Sequence, residues 1–351
     1  MTYNAYLAKT TGKVAEKRMH MHINFNSLGL GLAGGTRFIF ELTNRLADQN
    51  HKVTITHLGD ETVYSWFPEI KAEIINVPDV PYGFTARAFR KIFAKGMKRY
   101  GYGNLSDRER RLMAEIPDCD VNVATFCFTA FPTYYSGKGR GFYLVQHYEP
   151  WFFEDEKTRA RAALTYTLPL KKLCVSKWLT EKVQGTNIGN GINLSKFKEQ
   201  ETAKVYDVMV VQRDAGWKGD YNPVLDALTK KGLRVFVATG KISDSEMVSA
   251  YNASRMFLFL SKHEGFGYPP LEAMACGVPV VTTPCLEYTN HLENAYVLSK
   301  DYSVNDVLEA VKQLLDDDRL YYRIVENGRS TAKEYDFQKV VNRFLEAVKP
   351  A

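Results

Sequence analysis

The most informative segment for the fold of this chain is Ser261-Lys-His-Glu-Gly-Phe-Gly-Tyr-Pro-Pro-Leu-Glu-Ala-Met-Ala-Cys-Gly277. It follows a short apolar run, Met256 to Leu260, of the kind that a strand buried on both faces shows. Gly265 and Gly267 permit a tight turn, and the two prolines suit the first turn of a helix, where a missing N–H costs nothing. The pattern predicts a strand, a glycine loop and a helix. The free N–H groups and the dipole of such a junction suit a diphosphate.

Two carboxylates stand around this turn. Glu264 precedes it and can accept hydrogen bonds from sugar hydroxyls, whereas Glu272, on the helix, can accept them from a ribose. An ordinary strand-helix unit with two solvated glutamates is the alternative for the pair taken alone.

The spacing Glu-x7-Glu, with Gly-x-Gly between, resembles the signature of glycosyltransferase family 4, retaining enzymes of the GT-B fold. The strand that follows the helix in that family resembles Gly277-Val-Pro-Val-Val-Thr282. The resemblance implies that Glu264 contacts the donor sugar and that Glu272 binds the ribose. It assigns the donor phosphates to the backbone of a short run: Gly265, Phe266, Gly267 and Tyr268.

A second segment supports the same interpretation. A strand is expected from Val205 to Gln212 and a helix from about Tyr221 to Lys230, with Arg213 and Lys218 between them. These two cations resemble the Arg-x4-Lys pair that clamps the donor diphosphate in family 4. Charge grows on that leaving group as the glycosidic bond breaks, so fixed cations there stabilise the transition state more than the ground state, and no metal is required. The alternative is a pair of plain surface charges.

Near the N-terminus a strand is expected from Met19 to Asn26, followed by a glycine-rich run, a helix from about Thr36 to Gln49 and a strand at Val53 to Thr56. The resemblance implies that Gly34 and Gly35 face the donor phosphates from the opposite domain. Read instead as G-x-G-x-x-G, the glycines Gly29, Gly31 and Gly34 match a dinucleotide-binding fingerprint, which makes a nicotinamide-dependent oxidoreductase the rival prediction. That fingerprint needs an acidic residue at the end of the second strand. Asp60 does not fit this requirement well, because it lies beyond Gly59 in the expected loop.

His20 and His22 fall on one face of the first strand, as a metal-binding pair would. Since no third ligand follows at a suitable spacing, we expect the polar face of a strand, no metal and no cofactor beyond the nucleotide-sugar substrate.

Another core strand is expected from Gly141 to Gln146, with His147-Tyr-Glu-Pro-Trp-Phe-Phe153 at its carboxyl end, where ligands bind in open α/β sheets. Many family-4 enzymes carry a histidine here, so His147 is assigned to catalysis or sugar contact, with loop packing as its alternative. The string Gln-x-x-Glu-Pro-x-Phe resembles a subset of rhamnosyltransferases that build bacterial surface glycans. Trp151 to Phe153 are either a platform for an acceptor sugar or an interdomain plug.

The chain has 351 residues, of which 45% are hydrophobic and 25% charged, as expected of two globular domains. Turn residues cluster between 184 and 193 and mark a linker. We therefore predict an α/β protein of the GT-B class, two Rossmann-like domains facing across a cleft. Residues 1–185 form the acceptor-side domain and 186–335 the donor-binding domain, and a C-terminal helix, 336–351, crosses back to the first.

The net charge is +6, with six basic and no acidic residues from Arg87 to Arg99 in an amphipathic pattern. This stretch is a membrane-binding helix for an anionic surface, a site for a charged acceptor, or a helix packed on its own domain with a solvated basic face. No nucleic-acid motif accompanies it, so no nucleic acid is expected. Without a signal peptide or a long apolar run, and with five scattered cysteines, the chain is expected to be cytoplasmic, with the inner membrane face as a peripheral site.

These patterns together predict a metal-independent, retaining glycosyltransferase of the hexosyltransferase class. It moves a sugar from a nucleoside-diphosphate donor to a glycan or lipid-linked acceptor, and a leaving phosphate oxygen acts as base. A non-catalytic carbohydrate-binding GT-B protein is a further alternative, against which the intact set of four charged site residues argues: Arg213, Lys218, Glu264 and Glu272. The donor base and sugar, the acceptor, the linkage and the oligomeric state stay open.

Overall fold

The computed structural model describes residues 20–60, 64–79, 105–212, 221–239 and 242–350. The predicted diphosphate clamp, Arg213 and Lys218, and the basic stretch 87–99 lie outside the described residues. Two parallel sheets organise the rest of the chain, and we call the parts built on them the first and the second domain.

The first domain contains a seven-stranded sheet in the order β3-β2-β1-β4-β5-β6-β7. Every pair in it is parallel. The order reverses between β1 and β4, which is the point where ligands bind in doubly wound folds. The strands are β1 His22–Ser27, β2 Lys52–Leu58, β3 Glu73–Val77, β4 Val121–Ala124, β5 Arg140–Val145, β6 Lys171–Cys174 and β7 Thr186–Asn187.

Five described helices accompany this sheet: α1 Gly34–Asp48, α2 Asp107–Glu115, α3 Cys127–Tyr135, α4 Glu156–Leu164 and α5 Lys177–Val183. Two short 3₁₀ helices, Glu149–Phe152 and Thr165–Thr167, flank α4. β4 and the second half of β5 are buried on both sides, as central strands of a parallel sheet are, whereas β3 and β7 at the edges are more exposed.

The second domain contains a five-stranded parallel sheet in the order β12-β11-β10-β8-β9. Its order reverses between β8 and β10. The strands are β8 Tyr206–Val211, β9 Val235–Ala238, β10 Ser254–Phe259, β11 Val280–Thr282 and β12 Tyr296–Val297. The described helices are α6 Asn222–Lys230, α7 Asp244–Asn252, α8 Tyr268–Ala275, α9 Val304–Asp316, α10 Asp318–Glu334 and α11 Phe337–Val348.

The last helix, α11, returns to the first domain. Asp336 caps it by accepting a hydrogen bond from the Gln338 N–H, and its buried side chains recur at helical spacing. The Phe337 ring lies 5.3 Å from that of Phe38, and the Phe344 ring stacks 5.9 Å from that of Phe25. α11 therefore belongs to the core of the first sheet. The predicted fold class, including the helix that crosses back, is confirmed.

Two local expectations need correction. The predicted linker, 184–193, contains β7, which pairs with β6 at the edge of the first sheet. Its two residues, Thr186 and Asn187, pair with Leu173 and Cys174. In addition, α1 begins at Gly34, so both glycines of the Gly-Gly pair lie in the helix rather than in the loop before it. The domain boundary at 185 stays a prediction.

No helix among the described residues combines the length and the apolar content needed to cross a bilayer. All five cysteines are free thiols.

Candidate functional site

Three segments of the chain meet at one seam between the domains. A Cβ atom at Gly265, in the loop after β10, would lie 2.3 Å from the backbone oxygen of Gln146 at the end of β5. A Cβ atom at Gly35 would lie 3.1 Å from the Gln146 side-chain oxygen, and one at Gly34 would lie 3.3 Å from the Tyr268 ring. The approach at Gly265, to a backbone atom, is open only to glycine, and the spaces at Gly34 and Gly35 are tight. The sequence-predicted glycines of both domains are thus brought together.

The seam lies at the carboxyl ends of the strands where the order of each sheet reverses. The loop from 260 to 267 follows β10 and the predicted clamp follows β8, the two strands at which the order of the second sheet reverses. Across from them, the loop after β1 leads into α1 at the reversal point of the first sheet. Carboxyl ends of strands at a reversal point are the usual binding crevice of open α/β sheets.

The glycine loop is held in a defined shape. Gly267 has a φ of +88° and a Cβ atom there would lie 2.3 Å from Leu286, so no other residue fits without strain. The Tyr288 hydroxyl donates to the Gly267 carbonyl, and the Tyr268 hydroxyl donates to the side chain of Asn190. The loop is therefore preorganised before any ligand arrives.

Two helix N-termini adjoin this loop without side-chain caps. Neither α1 nor α8 has a capping side chain or an acidic residue in its first turn. By contrast, Ser243 and Glu246 form a capping box at the start of α7. The first turn of α1 thus presents N–H groups and a positive dipole end that an anion can satisfy. Pro269 and Pro270 have no N–H, so α8 offers its dipole end and the N–H groups of the glycine loop before it.

The two sequence-predicted glutamates have different surroundings. Glu264 is partly buried in the loop before the turn. Glu272 lies on α8 with only 3% of its side chain exposed, and it is held by Arg37 of the first domain and by Tyr251. The position of Glu272 is consequently fixed by protein partners and not by solvent.

An aromatic pocket lies beside the seam, at the end of β5. Its cavity of about 480 Å³ is lined by His147, Trp151, Phe152, Arg159 and His263. Trp151 is 53% exposed and stacks on Trp178 at 5.8 Å, while Phe152 lies 4.7 Å from the His147 ring. His263 of the second domain lies 5.7 Å from Trp151, so both domains contribute to this pocket. The structure thus brings His147 and the Trp151 region to the same seam as Gly265.

A buried carboxyl group lies beneath this pocket. Glu149 is 2% exposed and accepts a hydrogen bond of 2.5 Å from the Tyr143 hydroxyl. Burial raises the pKa of Glu149 to about 8, although hydrogen bonds from Tyr143 and Cys127 act in the opposite direction. The Tyr166 hydroxyl contacts both the Glu149 N–H and the His147 carbonyl, so this buried cluster fixes the backbone that carries His147.

Sequence reasoning missed Arg37 and Asp244, which join the two domains next to Glu272. One signal was present: Arg37 lies near the N-terminus of a helix, where the dipole disfavours a cation unless acidic partners compensate. Those partners lie far away in sequence, on α7 and α8.

The rival predictions find little support in the geometry. Neither Gly29 nor Gly31 has a positive φ, and Cβ atoms there would meet no protein atom within 4 Å, so neither position needs a glycine for the fold. His22 bonds to Thr54, and His20 to the Asn50 carbonyl. Within the described ranges, no group of three metal-ligating side chains lies together.

Comparison with known proteins identifies the second domain. Residues 195–331 match the family model described as "Glycosyl transferases group 1". The chain is 29% identical over 137 residues to "O-antigen chain mannosyltransferase B" of Escherichia coli, a match that covers 38% of this chain and 36% of that protein. It is 30% identical over 103 residues to "N,N'-diacetylbacillosaminyl-diphospho-undecaprenol alpha-1,3-N-acetylgalactosaminyltransferase" of Campylobacter jejuni, covering 29% of this chain and 27% of that protein. The matched segments thus span 36% and 27% of the length of these two relatives.

Solved structures resemble the whole chain. The Anabaena protein HepE in complex with UDP-glucose superposes with a TM-score of 0.73 at 14% identity, covering 94% of this chain and 99% of that one. Sucrose-phosphate synthase from Thermosynechococcus elongatus superposes with a TM-score of 0.69 at 15% identity, covering 93% and 98%. At these identities the likeness shows the fold. Together with the match of the second domain to the group 1 model, it confirms the predicted GT-B fold and a likeness to group 1 glycosyltransferases.

Proposed function

We propose that this group 1, GT-B glycosyltransferase-like chain moves a sugar from a nucleoside-diphosphate donor to a glycan or lipid-linked acceptor with retention of configuration. The single observation that carries the proposal is the convergence of Gly34, Gly265 and Tyr268 at one seam, beside two helix N-termini without side-chain caps.

That seam suits the pyrophosphate of an activated sugar. Backbone N–H groups at the start of α1 and in the glycine loop before α8 offer fixed donors, and the dipoles of both helices favour negative charge. Arg213 and Lys218, assigned to the diphosphate from the sequence, follow β8 along the chain. Charge on the departing diphosphate is then stabilised by groups that need no rearrangement and no metal.

The two glutamates hold the ends of the donor. Glu264 positions the transferred sugar through its hydroxyls, and Glu272 receives the ribose hydroxyls. The acceptor hydroxyl attacks the anomeric carbon on the face that the diphosphate leaves, and a phosphate oxygen of the leaving group takes its proton. Glu264 acts by positioning rather than as a nucleophile, because a carboxylate bonded to sugar hydroxyls is held away from the anomeric carbon.

The pocket at the end of β5 is the proposed acceptor site. Exposed aromatic faces such as Trp151 suit the apolar face of a sugar ring, and His147 lies between that pocket and Gly265. The names of the relatives support a surface-glycan acceptor: one acts on an O-antigen chain and another on an undecaprenol-diphosphate-linked sugar.

A thermal-shift and hydrolysis screen tests the proposal. The chain is incubated with uridine, guanosine, adenosine and thymidine diphosphates and their common sugar conjugates, with and without EDTA. We expect stabilisation by at least one diphosphate and slow release of sugar from its conjugate, both unaffected by the chelator. Stabilisation by a nicotinamide dinucleotide and by none of the diphosphates would instead support the oxidoreductase.

A further inference from the structure

We propose that Asn190 is a positioning residue of the donor site. It holds the Tyr268 hydroxyl, and through Tyr268 the glycine loop, at the place where the chain crosses between the two domains. The inference rests on the proposed function, because the position of the glycine loop matters for activity only if that loop receives the donor diphosphate. It adds to that function a residue that lies outside the glycine motif.

Two crossings of the chain between the domains lie against each other in the described residues. One follows β7, and the other joins α10 to α11. The Ile192 N–H donates to the Tyr335 carbonyl at 2.8 Å, and the Phe337 N–H donates to the Ile192 carbonyl at 3.2 Å. These bonds form a short parallel bridge between Ile192 and Asp336. We call the two crossings, 188–193 and 335–337, the interdomain junction.

The junction is closely packed. A Cβ atom at Gly191 would lie 2.7 Å from the Cα atom of Phe337 and 3.1 Å from the Tyr335 carbonyl oxygen. Both neighbours are backbone atoms, so they cannot swing aside as a flexible side chain does. The Phe337 ring lies 5.3 Å from the Phe38 ring on α1, in the core of the first domain. The junction is therefore a fixed support and not a loose linker.

The glycine loop and the start of α8 contact both crossings. In the first crossing, the Asn190 side-chain oxygen accepts hydrogen bonds from the Tyr268 hydroxyl and from the Gly191 N–H. Asn190 is only 4% exposed, so water competes little for these bonds. In the second crossing, the Tyr335 ring lies 5.4 Å from the Phe266 ring of the loop. The loop is thus attached to the junction by a buried polar contact and by an aromatic one.

Tyr268 also faces the other side of the seam. Its ring packs against the core of the first domain, and a Cβ atom at Gly34 would lie 3.3 Å from the ring. Because Tyr268 is the first residue of α8, its side chain sets where the loop before α8 lies relative to the start of α1. The bond to Asn190 therefore fixes the spacing of the two elements that are proposed to receive the diphosphate.

The test is a double-mutant cycle on nucleotide binding. Isothermal titration is run with UDP, GDP, ADP and dTDP and with the corresponding monophosphates on wild type, Tyr268→Phe, Asn190→Ala and the double variant. Urea unfolding without ligand is measured for each protein. Tyr321→Phe is the matched control, because the Tyr321 hydroxyl also donates one hydrogen bond, to the Arg255 carbonyl at 2.8 Å. Arg255 lies near the start of β10, at the opposite end of that strand from the glycine loop.

We expect Tyr268→Phe and Asn190→Ala each to weaken binding of the diphosphate about fivefold, the scale set by the loss of one buried hydrogen bond. The monophosphate should lose less, because it has fewer phosphate oxygens for the loop to hold. The double variant should bind no worse than the weaker single variant, because Asn190 acts through Tyr268. Tyr321→Phe should bind as wild type does.

The outcomes separate the two proposals. A lower unfolding free energy in both single variants with wild-type diphosphate affinity overturns this inference and leaves the proposed function standing. Additive losses in the double variant also overturn it, because Asn190 would then act independently of Tyr268. If Asn190→Ala does not fold, Tyr268→Phe decides alone, and equal losses for diphosphate and monophosphate overturn the inference. Wild type that binds none of the four diphosphates overturns both.

Discussion

Gly265 lies against the backbone carbonyl oxygen of Gln146 so closely that a Cβ atom at this glycine would stand 2.3 Å from the oxygen. The contact joins the loop after β10 of the second domain to the end of β5 of the first. Because the neighbouring atom belongs to the backbone, it cannot swing away as a flexible side chain does. Closure of the two domains at this seam therefore requires a glycine.

The first prediction concerns this contact. Gly265→Ala should separate the two loops and reduce sugar transfer strongly, with a loss of about 1–3 kcal/mol in unfolding free energy from overpacking. Gly29→Ala is the control, because a Cβ atom there meets nothing within 4 Å. Denaturant unfolding and a transfer assay check both, and equal behaviour of the two variants would contradict the argument.

The second prediction concerns the diphosphate clamp. Lys218→Ala should lower kcat by the equivalent of about 1–4 kcal/mol of transition-state stabilisation, because the cation acts on charge that grows as the bond breaks. Binding of the nucleotide sugar in its ground state should weaken less. Lys230→Ala, at the exposed end of α6, is the control. Unchanged turnover in Lys218→Ala would be hard to reconcile with the site.

The third prediction concerns the aromatic pocket. Trp151→Ala should raise the KM for the acceptor while leaving donor hydrolysis and stability nearly unchanged, because its side chain is 53% exposed and packs on little of the core. Tyr322→Ala, 63% exposed on α10, is a matched control. Steady-state kinetics with separate donor and acceptor titrations decide the point: an unchanged acceptor KM would remove Trp151 from the acceptor site.

The fourth prediction concerns Glu149 and pH. Its carboxyl loses a proton near its ordinary pKa of 4.5 in the unfolded chain but at about 8 in the folded protein. Between these values the folded state holds a proton that the unfolded state has lost, so rising pH removes stability, at a limit of about 1.4 kcal/mol per pH unit.

Glu149→Gln should remove this dependence, because the amide stays neutral and keeps an acceptor for the Tyr143 hydroxyl. The stability of wild type relative to the variant should therefore fall from pH 5 to about 8. Urea unfolding of both proteins across this range measures the difference. Parallel curves would show that Glu149 does not titrate with a raised pKa.

The fifth prediction concerns the basic stretch, which lies outside the described residues. Neutralising Lys91, Lys95 and Lys98 together should reduce sedimentation with vesicles that contain anionic lipid and leave neutral vesicles unaffected. Equal sedimentation before and after the substitutions would retire the membrane interpretation.

The elements of the chain were largely readable from the sequence because most strands are buried on both faces and most helices are amphipathic. The terminal helix Phe337–Val348 has the bounds expected from its apolar stripe. The sequence does not predict β7, because a two-residue edge strand in a turn-rich segment has no hydrophobic periodicity of its own.

The candidate site was readable only in part. Glu264, Glu272 and the glycines belong to one short motif with a recognisable spacing, so the sequence predicts that they form one site. The link between Arg37 and Glu272 joins positions 235 residues apart, and no local pattern in the sequence connects them.

By itself, the sequence determined the candidates for the chemistry: two acids around a glycine turn, a pair of cations after a strand, and a histidine at the end of another. These follow from local rules, because glycine, proline and burial act over a few residues. Only the tertiary structure decided that Gly265 abuts Gln146, that Arg37 holds Glu272 and that Glu149 is buried with a raised pKa. Each of these depends on the packing of one domain against the other or of a loop over a core, and such distances are set by the fold as a whole.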